Sequence, residues 1–329
     1  MKIIKKNIKK ILIIRTEHIG DYIVSLPAIK SVRENFPNAK IDLVVGPWNK
    51  ELAEATPYID EVILFDNPFA KRKINYFDIF KIFLFKSIRL LKFIKEINKR
   101  KYDLIIVFSN RKFNKLFLKL INSREKIFGD NWDDREVNQI KNCLNILESN
   151  GFKINKKLPK LSTKLGSIKK IDEILNSHNI KETFKVIIHP ITPSENRNWK
   201  MDNWANLIEE ISKKNKNLVF LLVGEEAQKD KINEIIKTNN KSINLAGELS
   251  LTELFLLCKK SKLFIGSCSG PLYIANLAGL PIVGIYSPES NKSWEPYGPN
   301  TKVIRKEDLN KLKVKEVFEN FFDLKNKLR

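Results

Sequence analysis

The sequence predicts an α/β protein made of two doubly wound domains, and three observations support this prediction. Apolar runs typical of strands alternate with helical patterns along almost all of the 329 residues. Runs such as 104–107 are apolar at every position, which is typical of parallel strands buried on both faces. The alternation occurs in both halves of the chain, and parallel strands joined by helices form doubly wound sheets.

The predicted elements follow in order along the chain. The strands of the first half lie at 11–14, 40–45, 61–65 and 102–108. A helix is predicted over 21–35, because apolar residues recur there at every third position. The strands of the second half lie at 185–189, 218–223, 242–245, 263–265 and 281–286. The helices of the second half lie at 201–213, 226–237, 251–260, 271–278 and 308–327.

The boundary between the domains is predicted near 155–166, a segment that has little periodicity and contains Pro159. We therefore expect a first domain over 1–160 and a second over 161–329, each long enough to bury a core of its own. The final helix could pack back on the first domain.

The composition is that of a globular protein, since 43% of the residues are hydrophobic. There is no apolar stretch of about 18 residues, and the basic start lacks the features of a secretory signal, so we expect a cytoplasmic protein. The cysteines Cys143, Cys258 and Cys268 are too far apart for a zinc motif, and we expect neither a metal site nor disulfides.

The net charge of +22 favours polyanionic partners such as nucleic acid, anionic lipid, phosphorylated glycans or nucleotides. Richness in Lys, Ile and Asn offers a purely compositional explanation, and both stay open. No nucleic-acid-binding motif is recognised, so we expect no nucleic-acid partner. Segment 71–101 interleaves aromatic and basic residues, and could contact an anionic membrane or simply pack its apolar stripe on the sheet.

The turn after the first strand contains a candidate catalytic carboxylate. Ligands of open α/β sheets bind at the carboxyl ends of the strands, so His18, Gly20 and Asp21 are candidate cleft residues. Gly20 allows a ligand to approach the backbone closely. Asp21 could act as a general base on a hydroxyl, or could simply cap the helix. The G-x-G-x-x-G pattern is absent, which disfavours a dehydrogenase.

The turn after strand 263–265 is a candidate phosphate site. Cys268, Ser269 and Gly270 are small, and Pro271 suits the first position of the helix that follows. The free amides and partial positive charge at a helix start suit a diphosphate, and Ser269 adds a hydroxyl. A tight connection that binds no ligand is the alternative.

Two further loops supply weaker candidates. Arg197 lies in a polar loop after His189, where it could neutralise a phosphate or be solvated. Glu226 follows strand 218–223 and could hold ribose hydroxyls. Alternatively, Glu225 and Glu226 could favour the start of a helix.

Together the motifs resemble glycosyltransferase family 9, the ADP-heptose:lipopolysaccharide heptosyltransferases. The matching motifs occur in order at 11–15, 19–21, 26–28, 36–39, 41–44, 188–190, 197–199, 222–224, 244–247, 269–271, 275–279 and 296–299. The resemblance implies a GT-B-like fold, in which two Rossmann-like domains face a cleft and bind acceptor in the first and nucleotide sugar in the second. It implies inverting, metal-independent transfer without a cofactor, from an ADP-linked donor to a lipid-linked or other glycan acceptor. Contact through 71–101 could place the protein at the inner face of the cytoplasmic membrane.

The resemblance also implies roles for individual residues. Asp21 matches the catalytic base proposed for the family, and Arg197 matches a basic residue that contacts donor phosphate. Glu226 lies near the ribose-binding carboxylate. Ser269 and Gly270 match the diphosphate-binding turn.

Two positions depart from the family pattern. Cys268 stands where the family commonly has Asp, and Tyr273 stands where it usually has His. The donor sugar therefore stays open, as a heptose or another sugar. A sugar-nucleotide epimerase or hydrolase, and an inactive relative that binds a nucleotide sugar, are the alternatives.

Overall fold

The structure is a computed structural model that describes residues 7–66, 79–109, 112–129 and 136–328. The chain divides into two compact units, Met1–Pro159 and Lys160–Arg329. In the described residues, each unit contains one parallel sheet flanked by helices. The predicted α/β class with two doubly wound sheets is confirmed.

The first unit contains a five-stranded parallel sheet in its described part. Its strands are β1 (Lys10–Arg15), β2 (Lys40–Val45), β3 (Glu61–Leu64), β4 (Tyr102–Val107) and β5 (Ser123–Phe128). Its helices are α1 (Ile19–Asn35), α2 (Lys50–Glu54), α3 (Ile79–Lys99), α4 (Lys112–Leu120) and α5 (Gln139–Ser149). The strand order is β3-β2-β1-β4-β5, so the apolar runs of β1 and β4 lie side by side in the interior.

The second unit contains a six-stranded parallel sheet. Its strands are β6 (Phe184–His189), β7 (Leu218–Leu222), β8 (Ser242–Asn244), β9 (Leu263–Ser267), β10 (Ile282–Tyr286) and β11 (Thr301–Arg305). Its helices are α6 (Leu165–Ser177), α7 (Met201–Lys214), α8 (Lys229–Ile236), α9 (Leu251–Lys259), α10 (Gly270–Leu277) and α11 (Val314–Asn326). The strand order is β11-β10-β9-β6-β7-β8.

The final helix belongs to the second unit. Val317, Phe321 and Leu324 of α11 are buried in the apolar core of that unit, and the helix packs against α7, β10 and β11. These contacts lie within the second unit, and the expectation that the helix also packs back on the first domain stays a prediction.

Each sheet has a point at which the strand order reverses. In the first unit this point lies between β1 and β4, and in the second between β6 and β9. Connections leave a doubly wound sheet in opposite directions there, which opens a crevice at the carboxyl ends of the strands. The candidate residues at 18–21 follow β1, and those at 268–271 follow β9.

The basic and aromatic segment 71–101 contributes α3, while 71–78 lies outside the described residues. Ile94 and Ile97 are buried, and the Phe93 ring lies 4.4 Å from that of Phe65, so α3 packs an apolar stripe on the sheet. Ile88 and Leu91 are instead 47% and 60% exposed. None of the helices in the described ranges is long and apolar enough to span a membrane.

Candidate active site

The first helix begins at Ile19, earlier than predicted, with His18 as its N-cap residue. Asp21 is therefore the third residue of the helix and not its cap. Its Oδ2 atom accepts a hydrogen bond from the His18 amide at 3.1 Å. The carboxylate thus satisfies one of the amides that a helix start leaves unpaired. Asp21 takes part in capping the helix from the third helical position, and not as the N-cap residue itself.

Asp21 is also part of a buried group of charges. Only 5% of the residue is exposed, and its Oδ1 atom lies 4.0 Å from the guanidinium of Arg15, which is fully buried. The Arg15 Nε donates to the Asp21 carbonyl oxygen at 2.8 Å. Arg15 NH1 lies 3.7 Å from Glu17 Oε2. One guanidinium is therefore shared by two buried carboxylates.

Side chains from other elements hold Glu17 in place. Its Oε1 atom accepts a hydrogen bond from Asn114 of α4 at 2.6 Å. Its carbonyl oxygen accepts bonds from Trp48 Nε1 at 2.6 Å and Asn49 Nδ2 at 2.8 Å. Buried charges are costly unless they are paired and hydrogen-bonded, so this network keeps the charges tolerable inside the protein.

Arg15, Glu17 and Asn114 were missed as site residues. Two charges directly after a buried strand were an available signal, because such residues must find partners where the strand ends. The predicted cleft residues lie on the same turn. Gly20 is half-buried at the second helical position, while His18 is exposed with its ring 5.8 Å from that of Trp48.

In the second unit, helix α10 begins at Gly270, so Pro271 is its second residue and not its first. Ser269 is the N-cap residue, in extended conformation. Its Oγ atom lies 3.0 Å from His189 Nδ1 and donates to the Ser267 carbonyl oxygen at 3.0 Å. This contact joins the ends of β6 and β9 at the point where the strand order reverses.

The His189 side chain is buried, and burial lowers its pKa from 6.5 to about 4. The ring is therefore neutral at about neutral pH and carries one N–H. Because the Ser269 proton points to the Ser267 carbonyl, the hydrogen-bond network assigns the imidazole proton to Nδ1, which then donates to Ser269 Oγ.

Cys268 lies inward of this turn. It is 7% exposed, and its Sγ atom lies 3.4 Å from the hydroxyl of Tyr273. Tyr273 and Tyr286 both donate to the Trp294 carbonyl oxygen, at 2.6 and 3.1 Å. Burial raises the pKa of both tyrosines well above the ordinary value, so they remain neutral donors that hold the loop after β10.

Arg197 ends a one-turn helix, Glu195–Arg197, in the loop after β6. Its Nε atom is buried without a hydrogen-bond partner among the described residues. The loop itself is well fixed, because Asn198 exchanges hydrogen bonds with the Thr192 backbone at 2.6 and 3.0 Å. Trp199 is fully buried and donates to the Leu312 carbonyl oxygen. The loop therefore presents an unsatisfied donor on a rigid support.

Glu226 follows β7, which neighbours β6. Its side chain is 72% exposed and lies 3.9 Å from Lys229. Gly247, with a φ of +78°, packs so closely that a Cβ atom there would overlap the Glu226 carboxylate. Within the described ranges, no three His, Cys, Asp or Glu side chains form a group that could hold a metal ion.

The two parallel sheets have the GT-B fold of known glycosyltransferases. The crystal structure of a family 9 glycosyltransferase from Veillonella parvula DSM 2008 matches with a TM-score of 0.82 and 18% identity, covering 97% of each chain. The Escherichia coli heptosyltransferase WaaC, solved with ADP-2-deoxy-2-fluoro heptose, matches with a TM-score of 0.73 and 14% identity, covering 96% of this chain and 99% of its own.

The sequence comparisons define the family. Lipopolysaccharide heptosyltransferase 3 of Escherichia coli is 22% identical over 298 residues, which cover 85% of this chain and 84% of its own. The family model described as Glycosyltransferase family 9 (heptosyltransferase) matches residues 90–321. The chain is a glycosyltransferase and belongs to glycosyltransferase family 9.

Proposed function

We propose that this chain is an inverting, metal-independent enzyme that transfers a heptose or a related sugar from an ADP-linked donor to the lipopolysaccharide core or another surface glycan. The family and the names of its relatives, which are lipopolysaccharide heptosyltransferases, support this proposal. The first unit binds the acceptor, and the second binds the nucleotide sugar. WaaC, solved with an ADP-linked heptose analogue, supports the nature of the donor.

The observation that carries the proposal is the buried Asp21 carboxylate at the end of β1, beside Arg15. A carboxylate held there can accept a proton from an acceptor hydroxyl. The hydroxyl oxygen forms a bond to the anomeric carbon of the donor as the bond from that carbon to the diphosphate breaks. The electron pair leaves with the diphosphate, and attack from the opposite side inverts the anomeric centre.

The negative charge on the departing diphosphate needs donors fixed in advance. Arg197, which is half-buried, offers its positive charge, and the start of α10 offers a helix N-terminus with the Ser269 hydroxyl beside it. Glu226 holds the ribose hydroxyls. Cys268, next to the turn, is the residue that we assign to the neighbourhood of the donor sugar.

Replacement of Asp21 by Asn tests the base. The variant keeps the size of the side chain and an acceptor for the His18 amide, so we expect nucleotide binding to be unchanged and turnover to fall by about 10²-fold or more. Glu54→Gln, an exposed carboxylate of the same unit, is the control and should leave turnover unchanged. Wild-type turnover of Asp21→Asn contradicts the assignment.

The substrates are tested separately. Thermal shift against a panel of nucleotide sugars identifies the donor, since a ligand that binds only the native state raises the melting temperature. The anomeric configuration of the product tests inversion, and turnover after treatment with a chelator tests metal independence. Release of free sugar or an epimerised nucleotide sugar without acceptor would instead indicate a hydrolase or an epimerase.

We also propose that the enzyme works at the cytoplasmic face of a membrane and touches anionic lipid through α3. Ile88 and Leu91 are exposed beside Arg89, Lys92 and Lys95, a combination that suits the headgroup region of an anionic bilayer.

We expect flotation with vesicles that contain phosphatidylglycerol, and not with phosphatidylcholine alone. Ile88→Ser with Leu91→Ser should abolish flotation, whereas Leu120→Ser, an exposed apolar residue of α4, should not. Equal flotation of both variants refutes this surface.

A further inference from the structure

Ser269 stands at the N-cap position of α10 but does not cap the helix. An N-cap serine usually accepts a hydrogen bond from the amide of the second or third helical residue. Here the second residue is Pro271, which has no amide, and the Ser269 side chain makes no capping bond. Its hydroxyl is directed instead to His189 and to the Ser267 carbonyl, at 3.0 Å each.

A second serine of the same unit shows the usual arrangement. Ser250 is the N-cap residue of α9, and its Oγ atom accepts a hydrogen bond from the Glu253 amide at 3.3 Å. The Glu253 carboxylate accepts one from the Ser250 amide at 2.8 Å. The two caps therefore differ in where the hydroxyl is held, and His189 is the side chain that accounts for the difference at Ser269.

The backbone explains why His189 can reach Ser269. His189 is the last residue of β6 and pairs with Gly266 of β9. A Cβ atom on Gly266 would lie 2.9 Å from the His189 carbonyl oxygen, so the absence of a side chain allows the two strands to come this close. The imidazole is buried, and it supplies a single N–H whose direction is fixed by the fold.

The consequence is a helix start that remains available to a ligand. The Gly270 amide has no acceptor among the described residues, and Ser269 and Gly270 are only half-buried. The Leu272 amide, at the third helical position, donates to the Ser269 carbonyl oxygen at 3.2 Å, so the Ser269 hydroxyl is not needed as a cap. A serine free to rotate would not hold its hydroxyl in one direction at this turn, and the bond from His189 fixes that direction.

We propose that His189 is a positioning residue of the donor site, which fixes the direction of the Ser269 hydroxyl at the start of α10 so that the hydroxyl can donate to a diphosphate bound there. The inference rests on the proposed function, in which the donor diphosphate binds at this turn. When the diphosphate binds, the Ser269 proton turns from the Ser267 carbonyl to a phosphate oxygen, while Ser269 Oγ continues to accept from His189. Neither residue gains or loses a proton in this step.

Calorimetric titration with ADP tests the proposal on the full-length chain. His189→Leu removes the N–H, and we expect ADP to bind about tenfold more weakly, the effect of losing one hydrogen bond. His189→Asn keeps an N–H near the position of Nδ1, and we expect it to bind ADP within about threefold of the wild type. Far-ultraviolet circular dichroism of each variant confirms that it is folded.

A double-mutant cycle with Ser269→Ala separates positioning from a merely structural role. If His189 acts through Ser269, the double variant His189→Leu with Ser269→Ala binds ADP no more weakly than Ser269→Ala alone. Losses that multiply, or wild-type binding by His189→Leu, overturn the inference and leave the proposed function intact. A wild-type chain that binds none of ADP, UDP and GDP overturns the proposed donor site, and the role of His189 with it.

Discussion

The carboxyl edges of the two sheets share a topology but differ in chemistry. At the edge of the first sheet, the buried side chains are charged, with Arg15 between Glu17 and Asp21. At the edge of the second, the corresponding buried side chains are neutral, with His189 and Ser267 beside Ser269. The general base that we propose for the first edge needs a carboxylate that stays in place, and the diphosphate site that we propose for the second needs fixed hydrogen-bond donors. The same sheet topology can carry both kinds of edge because the side chains that follow the strands differ.

This difference predicts that buried charges contribute far more to stability at the first edge than at the second. Arg15→Met would leave two carboxylates buried with the guanidinium removed, and we expect a loss of about 3–5 kcal/mol in the free energy of unfolding. Arg15→Lys should recover part of it, since an ammonium keeps the charge but not the planar geometry of the guanidinium. Urea denaturation measures both.

An exposed pair of the same unit is the control for this prediction. Lys50 lies 3.8 Å from Glu54 on α2, with both side chains well exposed. Lys50→Met should therefore change stability by no more than about 0.5 kcal/mol. An equally small loss for Arg15→Met would show that the buried charges do not depend on this guanidinium.

The contribution of the second edge to stability should depend on pH in the acid range. Burial lowers the pKa of His189 from 6.5 to about 4, so the folded protein resists a proton that the unfolded chain accepts. The contribution of His189 to the free energy of unfolding is complete above about pH 6.5. It is lost as the pH falls toward about 4, and the total loss is about 3 kcal/mol. We expect His189→Asn to lose less stability than the wild type between these pH values.

Parallel urea denaturation series of the two proteins measure this effect. Carboxyl groups with lowered pKa values, such as those of Asp60 and Asp103, also destabilise the fold in acid, but they do so equally in both proteins. The difference between the two curves therefore belongs to His189. Curves that run parallel across the whole interval would contradict a buried neutral imidazole.

The two edges also show what sequence reasoning could reach. Strand ends are visible in the sequence, and following them led to Asp21 and to the turn at Ser269. The partners were out of reach, because they come from distant elements: Asn114 is 97 residues from Glu17, and Ser269 is 80 from His189. No local pattern connects such residues, since only the packing of the sheet brings them together.

The strands were predictable except at the edges of the sheets, whereas helices α2, α4, α5 and α6 were not predicted. Each strand predicted from the sequence is present with its ends shifted by at most two residues, whereas β5 and β11 were not predicted. These two lie at the edges of their sheets, where strands are partly solvated and carry charged residues. Their sequences therefore lack the apolar runs that reveal the central strands.

The smallest effect we predict distinguishes the two N-cap serines of the second unit. Ser250→Ala should cost about 1 kcal/mol of stability and Ser250→Gly only a few tenths, because an N-cap glycine leaves the helix amides open to water. At Ser269, where the hydroxyl holds no helix amide, we expect glycine to give no such recovery over alanine, since either change leaves the His189 N–H without its partner. Urea denaturation of the four variants gives these values. The ADP affinity should fall only for the two changes at Ser269, and a recovery by glycine at that position would mean that Ser269 caps its helix after all.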